Sequence, residues 1–202
     1  MSGYLLKFKQ TYSVKIGGRR YPVVKIGNQL WMAENLDWKW DGLQLGKGGT
    51  STSVARANYY DNDESTYGWN GRKVGLLYNG VAVEYLANNP SLLNGFHVAT
   101  KAEYESLIAT VGGFDKVATS KLKAKDLDYA PSWRGTDDYG LSIVPSGYYN
   151  GRFGNGTIET HIWTSTRSSS SDLYMLDMDS SMGFGWNAFN HQYVVRLVKS
   201  LT

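Results

Sequence analysis

The clearest helix signature in these 202 residues lies between Thr100 and Gly113, and it limits what the rest can become. Thr100 and Glu103 stand three apart. At that spacing a threonine hydroxyl and a glutamate carboxylate each satisfy the other's orphan backbone amide at a helix start. Tyr104, Leu107, Ile108 and Val111 then recur at helical spacing as an apolar face, and Gly112 offers a left-handed stop. One further helix candidate, Val81–Asn88, is halted by Asn89 and Pro90. Elsewhere short alternating runs are cut by many of the 23 glycines, which predicts a single mixed domain of modest helix content.

The alternating runs can be placed in order. Tyr4 to Ile16 reads as one or two strands and could serve as an attachment arm, with a turn at Gly17–Arg20. Tyr21 to Met32 reads as a hairpin around Gly27-Asn28, a pair suited to positive φ. Asp37 to Thr66 is irregular. After Thr119 short strands are expected at Leu122–Asp126, Leu141–Val144, Tyr148–Tyr149, Ile162–Ser165, Met175–Met178 and Tyr193–Val198. In the last run Tyr193, Val195 and Leu197 would face one side, and Val194, Arg196 and Val198 the other. The expected division is an N-terminal strand or arm over residues 1–22 and one domain over 23–202.

Charge and composition exclude several function classes. Residues 1–125 carry 16 Lys and Arg against 10 Asp and Glu, and residues 126–202 carry 5 against 8. A mildly acidic C-terminal end without a basic run argues against nucleic acid as a partner. The chain has no cysteine, so disulfides, thiol nucleophiles and Cys-held metals are excluded. No run of about 18 apolar residues occurs, so membrane insertion is not expected. The first residues show no secretory signal. Taken as complete, the chain would be cytosolic or would leave the cell inside a particle such as a virion.

The unusual stretch is Thr160–Val198, which contains no Lys and no Glu. Six serines between Ser168 and Ser181 alternate with Asp172, Asp177, Asp179, Asn187 and Asn190, and with Tyr174, Met175, Phe184, Trp186, Phe189 and Tyr193. Rigid aromatics mixed with short polar side chains make contact area at low entropic cost, as paratopes do. Lys and Glu are depleted where surfaces must desolvate. If Leu173–Met178 is a strand, Tyr174, Leu176 and Met178 would face the core. Met175, Asp177 and Asp179 would then point outward with Trp186, Asn187, Phe189 and His191. A loop beside a core strand would share much of this composition.

No catalytic constellation stands out. His97, His161 and His191 lie far apart, and His97 is expected to pack in the core. A Ser165/His161/Asp172 triad can be written on paper, but no nucleophile-elbow motif accompanies it. Asp61, Asp63 and Glu64 alternate without the full calcium-loop pattern, and a solvated loop explains them better. Trp31, Trp38, Trp40, Trp69, Trp133 and Trp163 are expected in the core, and Trp186 in solvent. No catalytic residue, metal or cofactor is therefore assigned.

An ordered series of segments carries a family resemblance. It runs Val24–Leu36, Tyr60–Glu64, Gly75–Tyr78, Asn94–Leu107, Gly135–Ser142, Pro145–Tyr148, Trp163–Thr166 and Val195–Val198. Together these resemble the Fibrobacter succinogenes major paralogous domain, from Val24 to Lys199. The resemblance implies an α+β, C-type-lectin-like fold of the formylglycine-generating-enzyme type: two short helices, small antiparallel sheets and many loops. The chain is also similar to variable proteins of diversity-generating retroelements, including phage tail-tip adhesins, in which mutagenesis rewrites a C-terminal region ending near a strand like Val195–Val198. It departs from the family pattern in lacking cysteines and in having Phe96 where Trp is usual.

What the resemblance and the composition together imply is a ligand-binding protein. The expected surface is Arg167, Ser169, Ser171, Met175, Asp177, Asp179, Trp186, Asn187, Phe189, Asn190 and His191. The expected partner is a protein or glycan receptor on a cell surface, and the expected location is a phage tail tip or a bacterial surface. The N-terminal arm could join copies into a homo-oligomer. The alternative is a structural or accessory domain whose C-terminal loops pack a partner subunit.

Overall fold

The computed structural model describes residues 12–46, 50–64, 68–69 and 72–201. In its first half the elements are β1 (Tyr12–Ile16), β2 (Arg19–Ile26), β3 (Gln29–Met32), β4 (Gln44–Leu45), β5 (Arg56–Asn58), β6 (Gly68–Trp69), β7 (Arg72–Lys73), β8 (Leu77–Asn79), α1 (Gly80–Asn88) and β9 (His97–Val98). There follow α2 (Lys101–Val111), α3 (Lys116–Leu122), β10 (Tyr148–Tyr149), β11 (Phe153–Gly154), β12 (Thr160–Arg167), β13 (Asp172–Met178), β14 (Met182–Ala188), β15 (Gln192–Tyr193) and β16 (Leu197–Ser200). Among the described residues the class is α+β, with strands predominating over three short α-helices. No helix among the described residues is long and apolar enough to cross a membrane.

Chain ends and middle meet in one antiparallel sheet of order β1-β2-β3-β16-β9. The two hairpins that open it turn at Gly17-Gly18 and at Gly27, all at positive φ, as the sequence predicts. The last strand lies between β3 and β9, so Val198 has Trp31 on one side and His97 on the other. A second sheet runs β11-β10-β15-β8-β5-β4, and a third, β12-β13-β14, is an antiparallel meander.

The meander separates two cores. Ile162, Leu176 and Met178 pack with the apolar face of α2, Trp31, Trp133 and Ile143. Trp163, Leu173 and Met175, from the other face of the same strands, pack with Tyr78, Val83, Leu86 and Tyr193. The C-terminal run alternates as expected: Tyr193, Val195 and Leu197 join the second core, and Val194 and Val198 the first. Arg196, 1% exposed, sits between. Its guanidinium donates to Asn35 Oδ1 (2.8 Å), to the Met32 carbonyl (3.2 Å), to the Leu141 carbonyl and to the Ser142 carbonyl (3.0 Å). A buried cation held by three carbonyls and an amide bolts the first sheet to the 141–142 segment.

Several expectations need correction. The boundary expected after residue 22 falls inside β2, and Val14, Ile16 and Tyr21 are buried in the second core. Residues 12–22 are thus part of the first sheet, and the arm's first eleven residues lie outside the described residues. Leu122 ends a third helix rather than starting a strand; Asp115 caps that helix by accepting from the Ala118 amide. The strands expected at 122–126 and 141–144 shrink to a single bridge, Lys123 with Ile143. Residues 193–198 form two strand pieces instead of one. His97 is half-exposed and pairs with Glu103 at 2.7 Å, so it is not a core residue. Burial of Trp69 lies outside what is described.

Candidate binding surface

The third sheet carries most of the residues expected to bind, and its register decides where they go. Residues directly opposite across an antiparallel pair share a face, and neighbours along a strand do not. Tyr174 stands opposite Trp186 and Leu176 opposite Phe184, whereas Met175 opposes Gly185, Asp177 opposes Gly183 and Leu173 opposes Asn187. Trp186 and Asn187, adjacent in sequence, therefore point to opposite sides. The single outward cluster expected from the sequence is in fact two surfaces.

The first surface is aromatic. Trp186 is 64% exposed. On the same face Tyr174 and Phe184 are half-buried, and Phe114, from the link between α2 and α3, meets Phe184 edge-on at 5.9 Å. The Lys101 amine lies 4.8 Å above the Phe184 ring and 5.5 Å above Tyr174, and also pairs with Glu105 one helical turn on. Cation–π attraction holds the stem of Lys101 along these rings. Tyr174, expected in the core, thus belongs to the rim of this patch.

The second surface is polar and lies over the buried Tyr193 ring. His161 lies 4.8 Å from that ring and His191 6.1 Å from it, and Asn187 Nδ2 donates to the Tyr193 hydroxyl at 2.7 Å. His161 Nε2 bonds Glu159 at 3.1 Å, and its Nδ1 lies 3.3 Å from Asp177 Oδ1 without hydrogen-bond alignment. Burial pushes the Asp177 carboxyl above its usual range; the His161 imidazole opposes this and Glu159 adds to it. Burial pushes the His191 imidazole below its usual range, and its Nδ1 has no partner among the described residues. Gly183 leaves open space above the strand on this face, where an added Cβ would meet nothing within 4 Å.

The remaining expected residues lie elsewhere. Met175 (6% exposed) and Phe189 (7% exposed) are core residues, contrary to their expected outward placement. For Met175 the reason is that the odd-numbered face of β13 packs the second core before it reaches solvent at Asp177. For Phe189 it is α1, whose Gly80 amide donates to the Phe189 carbonyl at 2.8 Å. Arg167 pairs with Glu84 of α1 and covers the Phe189 ring at 5.1 Å. Ser169 and Ser171 build the turn after β12, with Ser169 Oγ bonded to Asp172 Oδ2 at 2.5 Å. Asp179 forms the opposite turn, where the Ser181 amide at 2.8 Å, against slight burial and with the Ser180 and Ser181 hydroxyls helping, lowers its carboxyl. Asn190 is half-buried, and its Oδ1 has no partner among the described residues.

The paper triad is not assembled. Ser165 Oγ donates to the Val98 carbonyl and Asp172 takes Ser169, while His161 is engaged with Glu159. Among the described residues no group of three or more His, Asp or Glu could hold a metal ion. Sequence reasoning missed Phe114, Lys101, His161, Glu159 and Tyr193 as neighbours of the surface. Only the β12–β13 register, which sets His161 opposite Asp177, could have signalled the polar group. No curated protein and no solved structure matches the chain. A family model does, over residues 24–199. The resemblance read from the spaced segments is therefore borne out, and the chain belongs to the Fibrobacter succinogenes major domain family.

Proposed function

We propose that the chain is a ligand-binding protein, of adhesin or receptor-binding type, that uses the β12–β14 sheet as its display surface. The observation that carries this reading is the aromatic face: Trp186, 64% exposed, shares its side of the sheet with Phe184 on β14 and Tyr174 on β13, and Phe114 from the α2–α3 link meets Phe184. An exposed indole continuous with other rings fits a binding surface, where Trp and Tyr dominate the energetics. The Asp177 carboxyl adds support, because its charged form is less favourable in the fold than in the unfolded chain.

The partner proposed is a protein or glycan receptor on a cell surface, met from a phage tail tip or a bacterial surface. A C-type-lectin-like arrangement and a retroelement-diversified C-terminal region accord with the Ser, Asp, Asn and aromatic residues on these strands. The apolar character of the Trp186 face also suits the second reading, in which a partner subunit covers it. The test is binding of labelled protein to an array of bacterial surface glycans and proteins, with light scattering on the protein alone. Spots bound by the wild type and lost with Trp186→Ala support the first reading. Stable self-association abolished by Trp186→Ala, with no spot bound, favours the second.

A further inference from the structure

At the other end of the third sheet lies a cleft of about 430 Å³, between α3, the loop that follows it, and the β13–β14 turn. Lys116, Lys123 and Arg134 all line it. Lys123 is 6% exposed, with its Nζ 4.0 Å above the Trp133 ring and one hydrogen bond, 2.9 Å, to the Asp179 carbonyl. An ammonium has three protons to donate, so a carbonyl and a ring face leave one for the cleft. Burial pulls this amine below its ordinary value, opposed by the charge of Asp179. None of the three cations makes an ion pair among the described residues, and Lys116 and Arg134 are exposed.

The cleft also has two carboxylates, but each is already turned to internal donors. Glu159 Oε1 accepts from Asn155 at 2.8 Å and from His161 at 3.1 Å. Asp179 Oδ1 accepts the Ser181 amide at 2.8 Å. The cations are held by fixed backbone. Arg134 takes φ 43°, a left-handed conformation rare for such a side chain, and the Thr136 amide donates to the Ser120 carbonyl at 2.9 Å. Gly135 packs so closely that a Cβ there would lie 2.0 Å from the Lys123 carbonyl. Ile158, 52% exposed, supplies an apolar wall.

We infer that this cleft is a second binding site, for a small ligand bearing a phosphate, sulfate or carboxylate group on an apolar body. The oxyanion accepts from Lys123, Lys116 and Arg134, and the body rests on Ile158. Charge-assisted hydrogen bonds are the strong kind, and one to a buried ammonium gains most because burial had removed its solvation. The site is independent of the Trp186 face.

The experiment is amide-resolved NMR titration with inorganic phosphate and with phenyl phosphate, on the wild type, Trp186→Ala, and the double variant Lys116→Gln/Arg134→Gln. Both substitutions of the double variant fall on exposed side chains, so folding is retained. The expected result is shifts confined to residues 116–134 and 158–180, with a dissociation constant of about 1 mM or tighter for phenyl phosphate. Inorganic phosphate should bind more weakly, and added salt should weaken both. The double variant should lose about tenfold or more in affinity, and Trp186→Ala nothing. Absence of shifts in the cleft, equal affinity for the two probes, or unchanged binding by the double variant would each overturn the assignment.

Discussion

At position 186 the chain sets an indole in solvent, and one residue later it turns an amide nitrogen to the Tyr193 hydroxyl on the other side. That alternation is a property of pleated backbone, so each substitution here has a face-dependent consequence. Phe189→Ala should destabilise the domain by about 3–5 kcal/mol, because the ring fills space between α1 and Arg167. Chemical denaturation measures this, and a loss below about 0.5 kcal/mol would mean the ring is not packed. Asp177→Asn should hold or raise the melting temperature at pH 7, because it removes a charge that burial disfavours. Arg196→Met should cost about 3 kcal/mol or more, since it leaves four buried acceptors without their donor. Composition alone could point to the Thr160–Val198 stretch, but not to which side of a sheet each residue would take.

The helix that was clearest in the sequence is also the one the structure uses as a junction. Thr100 and Glu103 form the expected capping box, and Tyr104, Leu107, Ile108 and Val111 are all buried. Leu107→Ala should therefore cost about 2–5 kcal/mol. Glu103 does more than cap. Its carboxylate also takes His97 on β9 at 2.7 Å and the Ser200 hydroxyl on β16 at 3.2 Å. Burial raises its pKa, but the His97 and Thr100 hydrogen bonds win and bring it from 4.5 to about 2. A carboxyl depressed on folding adds stability that is full above its unfolded value and is lost as pH falls towards the folded one. Stability should thus decline between pH 4.5 and about 2, and Glu103→Gln should flatten that part of the profile. An unchanged acid limb in the variant would remove Glu103 from the junction. Local signals wrote α2 in full because caps and periodicity are local. They missed β14, whose Gly183 and Gly185 carry no strand preference and which exists through its register with β13. They misread α3, which is only seven residues long.

Across the whole molecule, strands from the two ends of the chain close one sheet, and this sets how the fold is organised. Deleting residues 197–202 removes the strand between β3 and β9, so cooperative thermal unfolding should disappear. A sharp melt in the truncated chain would contradict the topology. The family could be read from spaced segments because each marks a position that the fold requires: a hairpin, a cap, a central strand. The binding surface was legible only as a stretch, since pairing partners such as His161 and Asp177 sit 16 residues apart and meet through register. The third sheet thus divides into an aromatic face open to solvent and a buried support. Melting and array binding, measured side by side for Trp186→Ala and Phe189→Ala, test this division. The expected result is that Trp186→Ala melts with the wild type yet loses about 2–4 kcal/mol of binding, whereas Phe189→Ala melts well below it. Destabilisation by Trp186→Ala, or binding undiminished in that variant, would contradict it.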